Sequence, residues 1–194
     1  MREDNRSIRE NLKYQTSCGN IITLTSNTLS HLEAHHNIID FLPEAISQIS
    51  FPNKEKGRIR MEIDLVTMVG KSSLLNTEQI EIYTDAFFSM RKGREGASRV
   101  VLNEKPQETS IISIVAEPLG DKRYNLISAW YGNIAPREPW DSTLLTEPEA
   151  FKESLDFWCC HALAHNPEGM DEPFESTWEE IINSHYESNR GGIE

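Results

Sequence analysis

The sequence predicts a single α+β domain, with N-terminal helices, a central antiparallel β-sheet of about four to five strands and C-terminal helices packed on the sheet. Helical spacing of apolar residues near both ends, strict apolar–polar alternation in the middle and a hairpin-like pair of β-rich runs predict this class. We expect residues 1–24 to form an N-terminal arm, residues 25–165 the domain, and residues 166–194 an acidic C-terminal extension with a short helix.

Two helices are predicted in the first fifty residues. Residues 1–20 are polar and predict an arm or a weak helix, whereas residues 25–28 form a cluster of good N-cap residues. Apolar residues then recur at helical spacing over residues 29–39. Pro43 predicts a break in this helix and the start of a second, short one that continues to Ile49.

Strands are predicted in the middle of the chain. Residues 58–65 alternate strictly between apolar and charged side chains, which is typical of a half-exposed strand. Further strands are predicted near residues 79–84 and over residues 99–102, with a glycine-containing loop at residues 91–96 between them. The two runs within residues 109–131 have the composition of a β-hairpin.

The last part of the chain predicts two helices. Residues 147–165 place Phe151, Leu155 and Trp158 at helical spacing, so we expect a helix that packs back on the sheet. Trp178 and the apolar residues that follow it predict a final acidic amphipathic helix.

The net charge of −12 is confined to the C-terminal part. Residues 1–137 hold 17 Lys and Arg and 17 Asp and Glu, whereas residues 138–194 hold 2 and 14. An acidic surface repels a phosphate backbone, so the neutral part is where nucleic acid can bind. Within that part, residues 54–60 and 91–99 are locally basic and suited to hold an anion.

Composition also bears on location. No apolar run approaches the roughly 20 residues that span a bilayer, and the N-terminus lacks the apolar stretch of a signal peptide. The three cysteines, Cys18, Cys159 and Cys160, do not form an extracellular disulfide framework. We therefore expect a soluble cytoplasmic protein without a membrane partner, and the oligomeric state is left open.

The side chains of the neutral part favour acid–base chemistry on RNA. Cleaving RNA without a metal needs a base, an acid and cations on the phosphate. His31 on the first helix, Lys71 in a turn and the loop that contains Arg91, Arg94 and Arg99 supply these groups. Tyr131 and Trp140 are suited to stack on unpaired bases. No cofactor is expected for this chemistry.

The histidines permit a competing interpretation. His31 and His35, like His161 and His165, are spaced four residues apart, which places each pair on one face of a helix. Two such pairs form an alternative metal site made of histidines alone.

Four segments resemble the barnase, EndoU, colicin and RelE-like nuclease superfamily, in its phage- and toxin-associated members. They read LTSNTLSHLEAHH, EIDLVTMVGKSS, RKGREGASRVVLNEKPQETSIISIVAE and YNLISAWYGNIAPREPW. The resemblance implies that His31 is the general base or acid, that Lys71 with Arg94 or Arg99 binds the phosphate, and that Ser128 places a hydroxyl near the scissile group. The acidic C-terminal region departs from toxin-like members, which are usually basic.

Two functions of different class are therefore predicted. One is a metal-independent endoribonuclease with the residues just named. The other is a non-catalytic acidic module, an inhibitor or regulator, that binds a protein partner through its C-terminal region with Trp178 and Tyr186.

Overall fold

The structure is a computed structural model that describes residues 11–33, 37–51 and 57–190, without the side chains of residues 187–190. In chain order its elements are β1 (Leu12–Gln15), β2 (Ile21–Leu24), α1 (Ser26–Glu33), α2 (Ile38–Ser47), β3 (Ile59–Asp64), β4 (Gly70–Ser72), β5 (Leu74–Asn76), β6 (Ala86–Met90), β7 (Ala97–Val101), β8 (Gln107–Thr109), β9 (Ile111–Gly120), β10 (Arg123–Tyr131), a 3-10 helix (Ser142–Thr146), α3 (Pro148–Cys160), β11 (His161–Ala164), β12 (Phe174–Ser176) and α4 (Trp178–Arg190).

The chain divides into two compact units, each made of two separate stretches. Unit 1 consists of Met1–Lys71 and Glu108–Ile134, and unit 2 consists of Ser72–Gln107 and Ala135–Glu194. The α+β class is confirmed, but each unit has its own sheet. The predicted single domain with an arm and an extension therefore differs from this division, because residues 12–24 and 174–190 are built into the units.

Unit 1 contains a five-stranded sheet in the order β1-β2-β10-β9-β3, in which only the β2–β10 pair is parallel. The two helices α1 and α2 cover one face. The core between helices and sheet is apolar, and its fully buried members include Leu32, Ile38, Leu42, Ile112, Ile114 and Leu126. Burial of such side chains is the main stabilising contribution to this unit.

The start of α1 agrees with the predicted cap. Thr25 precedes the helix, and its hydroxyl accepts a hydrogen bond from the amide of Thr28 at 3.2 Å. The predicted break at Pro43 is wrong, because α2 already begins at Ile38 and contains Pro43. Asn37 precedes α2 with a left-handed φ of 56°, a conformation that asparagine tolerates better than most residues.

The predicted hairpin is confirmed as β9 and β10, which pair in antiparallel register. Asp121 and Lys122 connect them, and both have positive φ values, of 50° and 56°. A two-residue connection with this backbone matches the right-handed twist of the strands. The alternating strand is confirmed as β3, with Ile59 and Ile63 buried and Arg60 exposed.

Unit 2 contains a second five-stranded sheet, in the order β12-β6-β7-β11-β5, together with α3, α4 and the 3-10 helix. Its core contains a cluster of aromatic rings. Trp178 packs edge-on against Phe88 with ring centroids 4.8 Å apart, and Trp158 lies 6.5 Å from Trp178. The final helix is confirmed, but it is part of this core rather than of an extension. Strands β4 and β8 form a separate two-stranded sheet.

Three further local predictions are wrong. Residues 12–15 form a strand rather than an arm or a weak helix, because they pair with β2. Residues 79–84 form no strand, and the chain turns there before β6. The helix predicted over residues 147–165 ends at Cys160, since residues 161–164 pair in parallel with β7 and antiparallel with β5. No helix in the described part of the chain is long and apolar enough to cross a bilayer.

Candidate functional site

The predicted site residues are divided between the two units. Unit 1 holds His31, Lys71, Ser128 and Tyr131. Unit 2 holds Arg91, Arg94, Arg99, Trp140, His161 and His165. His35 lies outside the described residues.

Within unit 1, the helix that carries His31 and the side chain of Ser128 lie on opposite faces of the sheet. His31 is exposed on α1, whose Leu32 is buried in the core between helices and sheet. Ser128 follows a bulge in β10 and pairs with Val115. The residues on either side of Val115 face that core, so Val115 and Ser128 face away from it. The predicted pairing of His31 with Ser128 in one catalytic group is therefore wrong.

Lys71 and Tyr131 do lie in the same region of unit 1. The ring of Tyr131 packs flat on the backbone of Gly70, where an added Cβ would lie 2.4 Å from the Tyr131 Cγ. Burial raises the pKa of Tyr131, and the carboxylate of Asp40 raises it further. Lys71 is the next residue and is exposed. Successive side chains of a strand point to opposite faces, so the Lys71 side chain points away from the face of β4 on which the Tyr131 ring lies.

Arg99 is buried in unit 2 and acts on the end of α3. Its Nη1 donates to the carbonyl of Cys159 at 2.9 Å and to those of Trp158 and His161 at 3.3 and 3.4 Å. Burial lowers its pKa. The last carbonyls of a helix lack intrahelical partners and carry partial negative charge, so a cation stabilises them. The predicted role of Arg99 as a phosphate ligand is therefore wrong, because its guanidinium is occupied and 6% exposed.

Arg91 is also engaged within unit 2. It forms an ion pair with the buried Glu138, and the Ser98 hydroxyl donates to the same carboxylate oxygen at 2.8 Å. Arg94 is exposed in the turn between β6 and β7. Of the three predicted phosphate-binding arginines, Arg94 is thus the one whose guanidinium has no hydrogen bond or ion pair among the described residues.

Trp140 has a structural role rather than an exposed stacking surface. Its ring lies on Gly96, where an added Cβ would lie 2.3 Å from the indole, and its Nε1 donates to the carbonyl of Ala97 at 2.7 Å. Gly96 has a φ of +73°, which favours glycine. Trp140 therefore holds the end of the β6–β7 turn.

The histidine pair of unit 2 is not arranged for one metal. His161 begins β11, and its Nδ1 lies 2.8 Å from the carbonyl of Phe157, on whose ring it stacks. His165 follows the same extended segment, and its Nε2 lies 3.1 Å from the carbonyl of Asp171. Residues four apart in extended backbone are separated by about 13 Å. Among the described residues no group of three or more His, Cys, Asp and Glu side chains is placed to hold a metal.

The charge of the chain is partitioned between the units. Unit 1 carries 11 Lys and Arg against 12 Asp and Glu, and unit 2 carries 8 against 19. Almost all of the net negative charge therefore belongs to unit 2, and within unit 2 it comes from residues 138–194. The sequence shows where the charge lies along the chain, but not which stretches fold together.

Some of the carboxylates of unit 2 lie at one edge of its sheet. We call this region the acidic edge and define it as residues 81–87 and 172–179. Strand β12 is the edge strand here and pairs with β6. Its exposed carboxylates are Glu81, Asp85, Glu172, Glu175 and Glu179. Three exposed aromatic rings accompany them, and these are Tyr83 (68% exposed), Phe174 (41%) and Phe87 (37%).

Hydrogen bonds hold the acidic edge in place. Thr177 and Glu180 form a capping box at the start of α4, in which the Thr177 hydroxyl accepts from the Glu180 amide at 3.1 Å and the Glu180 carboxylate accepts from the Thr177 amide at 3.4 Å. The amide of Glu179 donates to the carbonyl of Ile82 at 3.0 Å. The turn, the strand and the helix start are thus joined.

Trp178 and Tyr186, the aromatic residues predicted to meet a partner, are not surface anchors. Trp178 is fully buried, and Tyr186 is half-buried with its hydroxyl donating to the carbonyl of Pro139 at 3.1 Å. Tyr83 lies in the segment predicted as a strand, Phe174 lies in the predicted extension, and Phe87 lies in a segment for which no element was predicted. Exposed aromatic residues beside carboxylates were the signal that was missed.

Comparison with models of protein families, with curated proteins and with solved structures finds no match at the level of significance required. The resemblance to a nuclease superfamily therefore stays a prediction.

Proposed function

We propose that this chain is a non-catalytic binding module that holds a basic, extended segment of another protein at the acidic edge of unit 2. The observation that carries the proposal is the combination of exposed aromatic rings and exposed carboxylates on one edge strand and its neighbours. Exposed aromatic side chains with a polar rim are typical of protein-binding surfaces.

The strand geometry supports an extended partner. In the part of the chain that the structure describes, β12 pairs with β6 on one side and with no strand on the other. An extended peptide can add a strand to such an edge, with main-chain hydrogen bonds supplying affinity and alternate side chains supplying specificity. Glu175 faces the same side as Phe87, its partner in β6, whereas Phe174 faces the side of Phe88.

The charge of the acidic edge supports a basic partner. None of the five carboxylates at the edge forms an ion pair among the described residues. Cations of a partner meet them directly, and opposite charges speed association and exclude acidic competitors. Arginine is favoured over lysine, because its guanidinium also stacks on aromatic rings.

Binding is testable with a defined probe and the full chain. The probe is a fluorescent peptide of about ten residues in which arginine and valine alternate, and its anisotropy is followed on titration. We expect saturable binding that weakens as salt is added, because screening reduces the attraction between exposed charges. Glu175→Lys and Phe174→Ser are each expected to weaken binding about tenfold, or by about 1.4 kcal/mol.

The matched control is Glu153→Lys, which reverses an exposed carboxylate on α3 of the same unit and is expected to leave the affinity unchanged. Equal losses for Glu175→Lys and Glu153→Lys would show that net charge alone attracts the peptide. A peptide that alternates glutamate and valine is expected not to bind.

Cleavage of RNA remains a prediction of the sequence, and the same preparation can test it. Total RNA is incubated with the protein in EDTA. Cleavage that is lost in His31→Ala would support the endoribonuclease over the binding module.

A further inference from the structure

Strand β3 is an edge strand of the sheet of unit 1, and the structure says which of its backbone groups face outward. It pairs with β9 on one side, and no strand formed by the described residues lies on the other. Leu65, the residue after β3, donates its amide to the carbonyl of Ser110 at 3.0 Å. Alternate residues of an antiparallel strand direct their backbone groups to opposite sides, so the even-numbered residues of β3 direct theirs to the free edge.

The side chains of β3 alternate between the two faces of the sheet. Ile59 and Ile63 are buried on the side of the core, and Met61 is half-buried on that side. Arg60, Glu62 and Asp64 are exposed on the other side. Within the chain, the Glu62 carboxylate accepts hydrogen bonds from the Ile134 amide and the Asn133 side chain, and the Asp64 carboxylate accepts one from the Val66 amide. Arg58 directly precedes the strand and is exposed as well. The exposed row therefore begins with two cations and ends with two anions.

We propose that two copies of this chain associate by antiparallel pairing of their β3 strands, with Met61 opposite Met61 of the second copy. The proposal does not rest on the function proposed for unit 2. In this register Arg60 lies opposite Glu62 of the second copy, and Arg58 lies opposite Asp64. The two-fold axis repeats both contacts, so every charge in the row meets its opposite.

The apolar row fits the same register. Ile59 lies opposite Ile63 of the second copy, and the two Met61 side chains meet on the axis. Even-numbered residues face even-numbered residues, so the outward backbone groups of the two strands meet as hydrogen-bonded pairs. The unit 1 sheets of the two copies then form one continuous sheet.

Neighbouring registers are disfavoured by charge. A shift by one pairing position in one direction sets Arg60 opposite Arg60, and a shift in the other direction sets Glu62 opposite Glu62. Like charges directly opposite each other destabilise a strand pair. A shift that pairs even with odd residues sets charged side chains on the apolar face. The self-complementary register is therefore the favoured one.

Sedimentation velocity of the full chain, from about 1 to about 100 µM, tests the association. We expect a concentration-dependent monomer–dimer equilibrium. Arg60→Glu and Glu62→Arg each place like charges at two symmetric contacts and are expected to weaken the dimer about tenfold or more. Lys13→Glu, which reverses an exposed charge on the opposite edge strand β1, is expected to leave the dimer unchanged.

Mixing the two charge-reversed variants gives the decisive measurement. An Arg60→Glu strand opposite a Glu62→Arg strand has opposite charges at every position, so the mixture is expected to recover wild-type association. Circular dichroism and thermal unfolding of each variant show whether it is folded. Wild type that stays monomeric throughout, a dimer that both reversals leave intact, or folded variants whose mixture does not associate would each overturn the proposal.

Discussion

The charged side chain of Arg99 is buried in unit 2, where carbonyls at the end of α3, rather than a carboxylate, accept its hydrogen bonds. The carbonyls of Trp158 and Cys159 accept its hydrogen bonds, and no described carboxylate forms an ion pair with it. A strand residue thereby connects β7 to the last turn of α3. The same cation looks like a phosphate ligand in the sequence, because a pattern of charge does not show which arginine is buried.

We expect Arg99→Met to lower the free energy of unfolding by about 2 kcal/mol, because hydrogen bonds from a charged donor are lost while the carbonyls stay buried. Urea unfolding followed by circular dichroism measures it. Arg94→Met, in the exposed turn that precedes β7, is the control and is expected to change stability by less than about 0.5 kcal/mol. Equal changes in the free energy of unfolding of the two variants would show that the hydrogen bonds of Arg99 do not stabilise the fold.

The backbone conformation of Val66 is unfavourable for its residue type. Its φ is 68°, in the left-handed region that β-branched residues rarely adopt, and its amide donates to the Asp64 carboxylate at 2.8 Å. Val66→Asn is expected to raise the free energy of unfolding by about 1 kcal/mol, because asparagine tolerates this conformation. Urea unfolding measures it, with Thr67→Asn as the neighbouring exposed control. A loss of stability in Val66→Asn would contradict the assignment of strain.

At the scale of elements, the predictions that held were local ones. The alternation of β3 and the hairpin of β9 and β10 are specified within short stretches of the chain, so the sequence predicts them. Strand β11 was missed because its apolar residues continue the pattern of α3. Its strand conformation depends on β5 and β7, which are distant in sequence. Tertiary pairing of this kind overrides local preference.

Helix α4 was predicted correctly as a helix and wrongly as part of an extension. Deletion of residues 170–194 removes β12 and the buried Trp178 from unit 2. We expect the truncated chain to lose protection from amide hydrogen exchange in β6 and β7, because loss of a buried tryptophan alone costs about 3–5 kcal/mol. Mass spectrometry of the exchanged chain measures it. Asn183→Ala, at an exposed position of α4, is the control that keeps protection. Preserved protection in the truncated chain would show that α4 is dispensable.

At the scale of the whole molecule, the sequence predicts the class but not the division into units. Each unit combines stretches that are separated in sequence, so composition along the chain does not show which charges share a surface. The candidate site differs from the site predicted from the sequence for the same reason. The predicted nuclease residues are split between the units or buried, whereas the acidic edge combines residues 81–87 with residues 172–179. Contacts between distant segments, rather than any motif, create it.

A ribosome that has translated the first 107 residues has produced β1, β2 and β3, but neither of the strands that lie between β2 and β3 in the finished sheet. The apolar faces of α1 and α2 lack two inner strands of the sheet that they cover until β9 and β10 are synthesised. Nascent chains of this length expose surface that promotes aggregation. We therefore expect chaperones to bind chains that stall before residue 111 more strongly than chains released after residue 131.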